Sequence, residues 1–323
     1  TRVMVAMGVS GIAAAGLMVG LSQSYLALIM FLVIAALLGG GYHPSAASAI
    51  SALVPLERRG RALGFHVIGG GASFWLVPLL AAPIALAWGW RGSFIALCIP
   101  AILLGVVLFL LIGQRTRARD GKRATTPTES AVEPSRIHWR QLMPFIIMSA
   151  TTSTMIQSVS AYFSLYAVDH LGIAEVIAAM LMSITPAVGL LAGPIGGYLS
   201  DRFGAVTILA GVSLLAIPTL YFLGLVNNVL TLSFIMAVVG IISYFRMPTS
   251  ESYIAAHTPK HRRSTILGFY FVASAEMGGL LTPVVGNLID RFGFYSTFTI
   301  LSMTQAIVIV TCLILLRRNR TLT

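Results

Sequence analysis

The chain has 323 residues, of which 57% are hydrophobic and 10% charged, with a formal net charge of +11. Soluble domains carry about a quarter charged residues, so this composition excludes an ordinary soluble enzyme or binding module and points to a membrane protein. The positive charge does not signal a nucleic-acid partner, because the basic residues sit in short loops between long apolar runs, and the two cysteines, Cys98 and Cys312, are too far apart for a metal motif.

About 20 apolar residues cross a bilayer. On that rule the chain predicts ten helices, at 3–22, 25–48, 62–86, 92–113, 141–167, 174–199, 205–226, 229–252, 264–288 and 294–316. Residues 114–136 are rich in Pro, Thr, Ser and charge, and read as a flexible linker. The expected organisation is therefore a bundle over 1–113 with four helices, a basic cytoplasmic linker over 114–138 and a six-helix bundle over 139–323.

Lys and Arg mark the cytoplasmic loops of membrane proteins. Of the 21 in this chain, all but Arg91, Arg291 and Arg246 fall on one side of the predicted topology, which puts both ends of the chain in the cytoplasm. Internal repeats sharpen the picture. PLERRGRALGF at 55–65 returns as PKHRRSTILGF at 259–269, and the offset of 204 also pairs Pro44 with Pro248 and Gly89 with Gly293. Both segments have the same sense in the membrane, so they predict two bundles related by an axis along the membrane normal.

A second repeat, GGYLSDRFG at 196–204 and VGNLIDRFG at 285–293, has an offset of 89 and falls on opposite sides of the membrane, as an inverted three-helix unit would. Carrying the 204-residue offset back from residue 138 leads to the expectation that two further helices precede Thr1 in a twelve-helix protein. A secretory signal over 1–22 is the competing reading, against its long apolar run and its alignment with 205–226.

G-x-x-x-D-R-x-G at Gly197, Asp201, Arg202 and Gly204, the ERRGRALG turn at 57–64 containing Arg58 and Arg59, and two halves joined by a basic linker together resemble the major facilitator superfamily. Within it, GGGYHPSAASAI and RRGRALGFHVIGGG are similar to bacterial exporters of the fosmidomycin-resistance type. The antiporter pattern G-x-x-x-G-P-x-x-G-G is replaced by GGGASFWLVP at 69–78, and the linker lacks the sugar-porter P-E-S-P-R run. The resemblance implies a gating motif of Gly197, Asp201, Arg202, Gly204, Arg58 and Arg59. In it, Asp201 would meet the N-terminal dipole of a nearby helix or an Arg across the cytoplasmic face. The alternative is that the turn serves only as a topological anchor.

Polar residues at membrane depth are expensive and so need a reason. Glu276 lies mid-way along the predicted 264–288 helix, opposite Ala72 in the repeat, which makes it the candidate for proton coupling; a packing role is the alternative. Ser153, Gln157 and Tyr162 follow one helical stripe and are candidates for a substrate cavity. Arg246 could clamp an anion or snorkel to the interface, and His43 and His66 could titrate or be structural. Glu251 lies five residues beyond Arg246, off its face.

Neither H-E-x-x-H, nor a G-x-S-x-G elbow, nor paired membrane aspartates occur in the sequence, so the expectation is not an enzyme and involves no cofactor or metal. The expected protein is all-α and polytopic, a secondary transporter working by alternating access in a prokaryotic inner membrane, exporting a small organic compound against protons. Uptake or exchange of an organic anion through Arg246 is the alternative, followed by a nontransporting receptor on the same fold. Its partners would be the lipid bilayer, a small-molecule substrate and protons, with no nucleic acid.

Overall fold

The computed structural model describes residues 2–123 and 137–320. Every regular element among them is a helix. Seven runs among the described residues are long and apolar enough to cross a membrane, including Val3–Leu21, Tyr25–Leu53, Pro83–Leu111 and Val229–Ala256. The longest, Lys260–Arg318, contains a break at Gly293, where φ is 73° and the predicted helices 264–288 and 294–316 meet. Gly89 breaks Arg59–Arg123 in the same way at φ 71°. These glycines stand at repeat-related positions, and the left-handed φ there strongly disfavours any residue with a Cβ.

Packing divides the chain into two compact units, Thr1–Ala49 with Trp75–Glu133, and Ile50–Phe74 with Pro134–Thr323. Residues 50–74 thus pack with the second unit, whereas the sequence boundary put them in the 1–113 bundle. The cause is a close glycine contact with the Ile184–Phe203 helix, described below.

In the first unit, Val3–Leu21 contains a π-helical turn at Met7–Gly11, and the predicted 25–48 helix is interrupted at residues 40–41 before resuming as Tyr42–Leu53. Ser24 caps Tyr25–Gly39 by accepting from Ala27 N at 3.2 Å. Arg91, predicted in a loop on the side away from most other basic residues, donates twice to the Ser22 carbonyl (3.1 and 3.0 Å) and lies over the Trp90 ring. Residues 114–123, predicted as flexible linker, continue the helix to Arg123, because Gln, Arg and Lys are good helix formers. The rest of that linker, 124–136, lies outside the described residues.

In the second unit, Trp139–Ser160, Ile184–Phe203, Ala205–Leu223, Val229–Ala256, Lys260–Phe271 and Met277–Arg320 surround a core that includes Phe145, Met148, Tyr166, Leu209, Leu232 and Phe298. Lipid tails are as apolar as these side chains, so interhelical polar contacts carry much of the specificity. Gln305 Nε2 donates to Thr152 Oγ1 (2.8 Å), which donates to Ser213 Oγ (3.0 Å), tying three helices together. The Ser158 hydroxyl donates to the Gly278 carbonyl and Ser302 to the Ile217 carbonyl. A π-helical segment at Val272–Glu276 interrupts the ladder between Lys260–Phe271 and Met277–Arg320, and Thr154 donates to the Ala273 carbonyl within it.

Candidate functional site

Two polar sites stand out in the second unit. The first is built on the D-R-F-G turn. The Ile184–Phe203 helix stops at Gly204, whose φ of 87° lets the chain turn directly into Ala205–Leu223. Asp201 stands in the last turn, and its carboxylate reaches a different helix. Oδ1 accepts from Gly60 N at 2.8 Å and Oδ2 from Arg61 N at 2.9 Å. These are first-turn amides of the helix that begins at Arg59, which have no partner within their own helix and carry its positive dipole end. A carboxylate that accepts from both is a charged cap supplied from across the contact. Burial pushes the Asp201 carboxyl above its ordinary range, while the two N–H bonds and the charges of Arg61 and Arg59 act against that shift.

Four glycines allow this approach. Gly60 and Gly64 face Gly197 and Gly193, each pair four residues apart on its helix. A Cβ on Gly60 would stand 2.7 Å from the Gly197 carbonyl oxygen, and one on Gly193 3.1 Å from that of Gly64. A Cβ on Gly64 or on Gly197 would overlap the opposing carbonyl outright. Backbone therefore meets backbone along one helical turn, with the Asp201 cap at its end. Beside it, Glu57, Arg58, Arg61, Tyr198, Asp201 and Arg202 line a cavity of about 270 Å³. Arg202 is exposed and turns back on its own helix, with Nη1 donating to the Tyr198 hydroxyl at 3.4 Å.

The second site surrounds Arg246. Its Nη1 donates to the Tyr270 hydroxyl (2.6 Å) and to Ser149 Oγ (3.2 Å), and Ser149 Oγ is also bonded to Ser250 Oγ (2.7 Å). Three helices, Trp139–Ser160, Val229–Ala256 and Lys260–Phe271, supply these groups. Glu251 is 1% exposed, and neither carboxylate oxygen has a hydrogen-bond partner. Arg246 lies five residues before it on the same helix.

The other predicted residues are scattered. Glu276 is exposed at the end of the π-helical segment, where the sequence reading placed it mid-way along a regular helix. Gln157 is exposed and lies over Gly278, whose missing side chain leaves it room. Ser153 is half-buried. The Tyr162 hydroxyl is committed to the Thr282 carbonyl (2.7 Å). His43 is exposed, its ring edge-on to Tyr42, and His66 is half-buried. The sequence reading missed Ser149, Ser250 and Tyr270, and passed over Gly60, Gly64 and Gly193, although Gly60-x-x-x-Gly64 and Gly193-x-x-x-Gly197 both carry the small-residue spacing of close helix pairs.

The sequence profile of the Major Facilitator Superfamily matches residues 1–281 and again 191–322. The chain belongs to the major facilitator superfamily. It is thus an integral, multi-pass membrane protein and a secondary transporter by family. Superfamily relatives include the multidrug resistance protein MdtG of Enterobacter lignolyticus, 23% identical over 94% of this chain and 72% of that protein. MdtG of Dickeya zeae is 26% identical over 90% of this chain and 71% of that protein. The uncharacterised MFS-type transporter YuxJ of Bacillus subtilis is 30% identical over 48% of this chain and 39% of that protein. Among solved superfamily structures, the human organic anion transporter MFSD10 (TETRAN) has the same fold, with a TM-score of 0.76 at 15% identity over 98% of this chain and 76% of that one. The transporter FucP in its outward conformation gives 0.69 at 14% identity, over 97% of this chain and 81% of that one.

Proposed function

We propose that this transporter exports small amphipathic organic compounds, coupled to protons and by alternating access, with the Asp201 turn as its cytoplasmic latch. The observation that carries the latch is the pair of bonds from Gly60 N and Arg61 N to the two Asp201 oxygens. A cap made by one helix for another is lost when the helices separate and restored when they close, so it biases a two-state element directly. The four-glycine contact adds shape to charge, because backbone surfaces this close admit no intermediate spacing. Export rather than uptake is supported by the multidrug relatives, and proton coupling by the buried carboxyl of Glu251.

A second reading, transport of an organic anion, is favoured by Arg246 itself. Both of its hydrogen-bond partners are neutral hydroxyls, which leaves a guanidinium charge that a carboxylate cargo could balance. The experiment that separates the two uses the full-length protein in inside-out vesicles with an imposed pH gradient, challenged in turn with ethidium, carboxyfluorescein and lactate. Gradient collapse with ethidium supports export of amphipathic cations. Collapse with only the two carboxylates supports the anion reading, and in that case Arg246→Gln abolishes it. Failure of all three to move in either direction would overturn the transport proposal.

A further inference from the structure

We propose that Glu251, and not Glu276, takes up and releases the coupling proton, with Arg246 as its alternating counter-charge. The inference rests on the proton-coupled reading above and assigns the group that performs it. The starting point is a mismatch of polar groups. Buried polar atoms are almost always hydrogen-bonded, and a carboxyl in either protonation state has something to satisfy: the acid needs an acceptor, the carboxylate needs donors. Glu251 has neither within reach, at 1% exposure. An unsatisfied group of this kind is retained where another state of the protein satisfies it.

The partner it would find is on its own helix. A step of five residues raises the chain by about 7.5 Å and turns it by about 140°, so Arg246 has to swing round the helix to reach the carboxyl. A guanidinium has five N–H donors, and Nη1 alone accounts for the bonds to Tyr270 and Ser149, so donors remain for a carboxylate. Two arrangements follow. In the first, Glu251 carries the proton and Arg246 rests on Tyr270 and Ser149, the partners its Nη1 has in this structure. With Glu251 ionised, Arg246 turns to it, and the hydroxyls of Ser149 and Tyr270 lose their guanidinium donor while keeping their bond to each other. The proton moves between the carboxyl oxygen and water, with no other covalent bond changed.

The surroundings suit one proton site. Of the helices packed against Val229–Ala256, Ala205–Leu223 carries Tyr221 alone as a titratable group, and Ile184–Phe203 carries Tyr198, Asp201 and Arg202 in its last two turns. Trp139–Ser160 carries Arg140 at its first turn, with His138 just before it. Lys260–Phe271 brings a basic first turn, with Arg263 buried, and Tyr270 at Arg246 itself. On its own helix Glu251 has Tyr244, Arg246 and Tyr253, with His257 at the C-terminal cap. Asp201 is the other carboxyl among these, and its oxygens are committed to the Gly60 and Arg61 amides. Glu276, by contrast, is not enclosed by the helices of this unit.

The test uses the full-length protein in liposomes, as parent, Glu251→Gln and Glu276→Gln. Infrared difference spectra between acidic and alkaline buffer report carboxyls that titrate. The expected result is a protonated-carboxyl band that Glu251→Gln lacks and Glu276→Gln keeps. In parallel, gradient-driven accumulation of whichever probe above is moved should fall at least about tenfold in Glu251→Gln, while its exchange down a concentration gradient stays within about twofold. If Glu251→Gln does not fold, Glu251→Asp keeps the carboxyl and should shift the band. A band unchanged in Glu251→Gln, or lost instead in Glu276→Gln, overturns the assignment. Loss of the band without any probe movement by the parent would overturn the transport reading, and with it the coupling role, while leaving Glu251 as the titrating group.

Discussion

At the scale of single residues, Asp201 shows how one carboxylate can act at a distance in the sequence. It terminates one helix and caps another 140 residues away, through two N–H bonds that the first turn of the Arg59 helix cannot otherwise satisfy. Asp201→Asn keeps one acceptor and loses the charge, which removes about 1 kcal/mol of capping and dipole energy. Amide exchange at Gly60 and Arg61 should then rise about fivefold, and unchanged exchange would mean that the cap does not hold this state closed. The carboxyl's place in the D-R-F-G turn was legible in the sequence, since the motif repeats at 285–293 and the family resemblance singled it out. Its partners were not, because amides have no sequence signature and the Arg58–Arg61 run drew attention to side chains. Glu251 was passed over for the converse reason. A spacing of five residues puts it off the face of Arg246 on their common helix, and its burial depends on the helices packed around it.

At the scale of elements, the hydropathy of the chain marked an all-helical membrane protein, with seven runs among the described residues apolar enough to cross a membrane against ten expected, and two glycines marked breaks. Gly89 and Gly293 recur at the repeat offset, and both adopt the left-handed φ that ends one helix and starts the next. The interruption at residues 40–41 and the π-helical turn at Val272–Glu276 were not legible, because both depend on which neighbours take up the freed backbone groups. The contact between the Arg59 and Ile184–Phe203 helices is decided by four glycines, and its sensitivity can be measured. A Cβ at Gly64 would stand 2.9 Å from Pro194 Cα besides overlapping the Gly193 carbonyl, and both obstacles are backbone. Gly64→Ala should therefore weaken the closed contact by about 1–3 kcal/mol and speed exchange at Gly60 and Arg61. Gly69, on the same helix, has nothing within 4 Å of its Cβ position, so Gly69→Ala should leave that exchange unchanged. Equal effects of the two substitutions would show that helix propensity, not close packing, is being read.

At the scale of the whole molecule, family membership establishes a secondary transporter, and the proposal assigns its moving parts. The second unit holds both the Asp201 cap on the Arg59 helix and a buried carboxyl, Glu251, five residues from the half-buried Arg246. In the proposed cycle these are linked, since opening the glycine contact would admit water to the end of the Val229–Ala256 helix and let Glu251 exchange its proton. The most direct test is to prevent the opening. Glu57 and Tyr198 are exposed and line the cavity beside the latch, so cysteines at both positions can be joined by a short reducible cross-linker in the full-length protein. The account predicts that cross-linking abolishes transport of the active probe and that reduction restores it. Transport continuing at the parent rate with the two helices joined would contradict the claim that this contact must part for the protein to work.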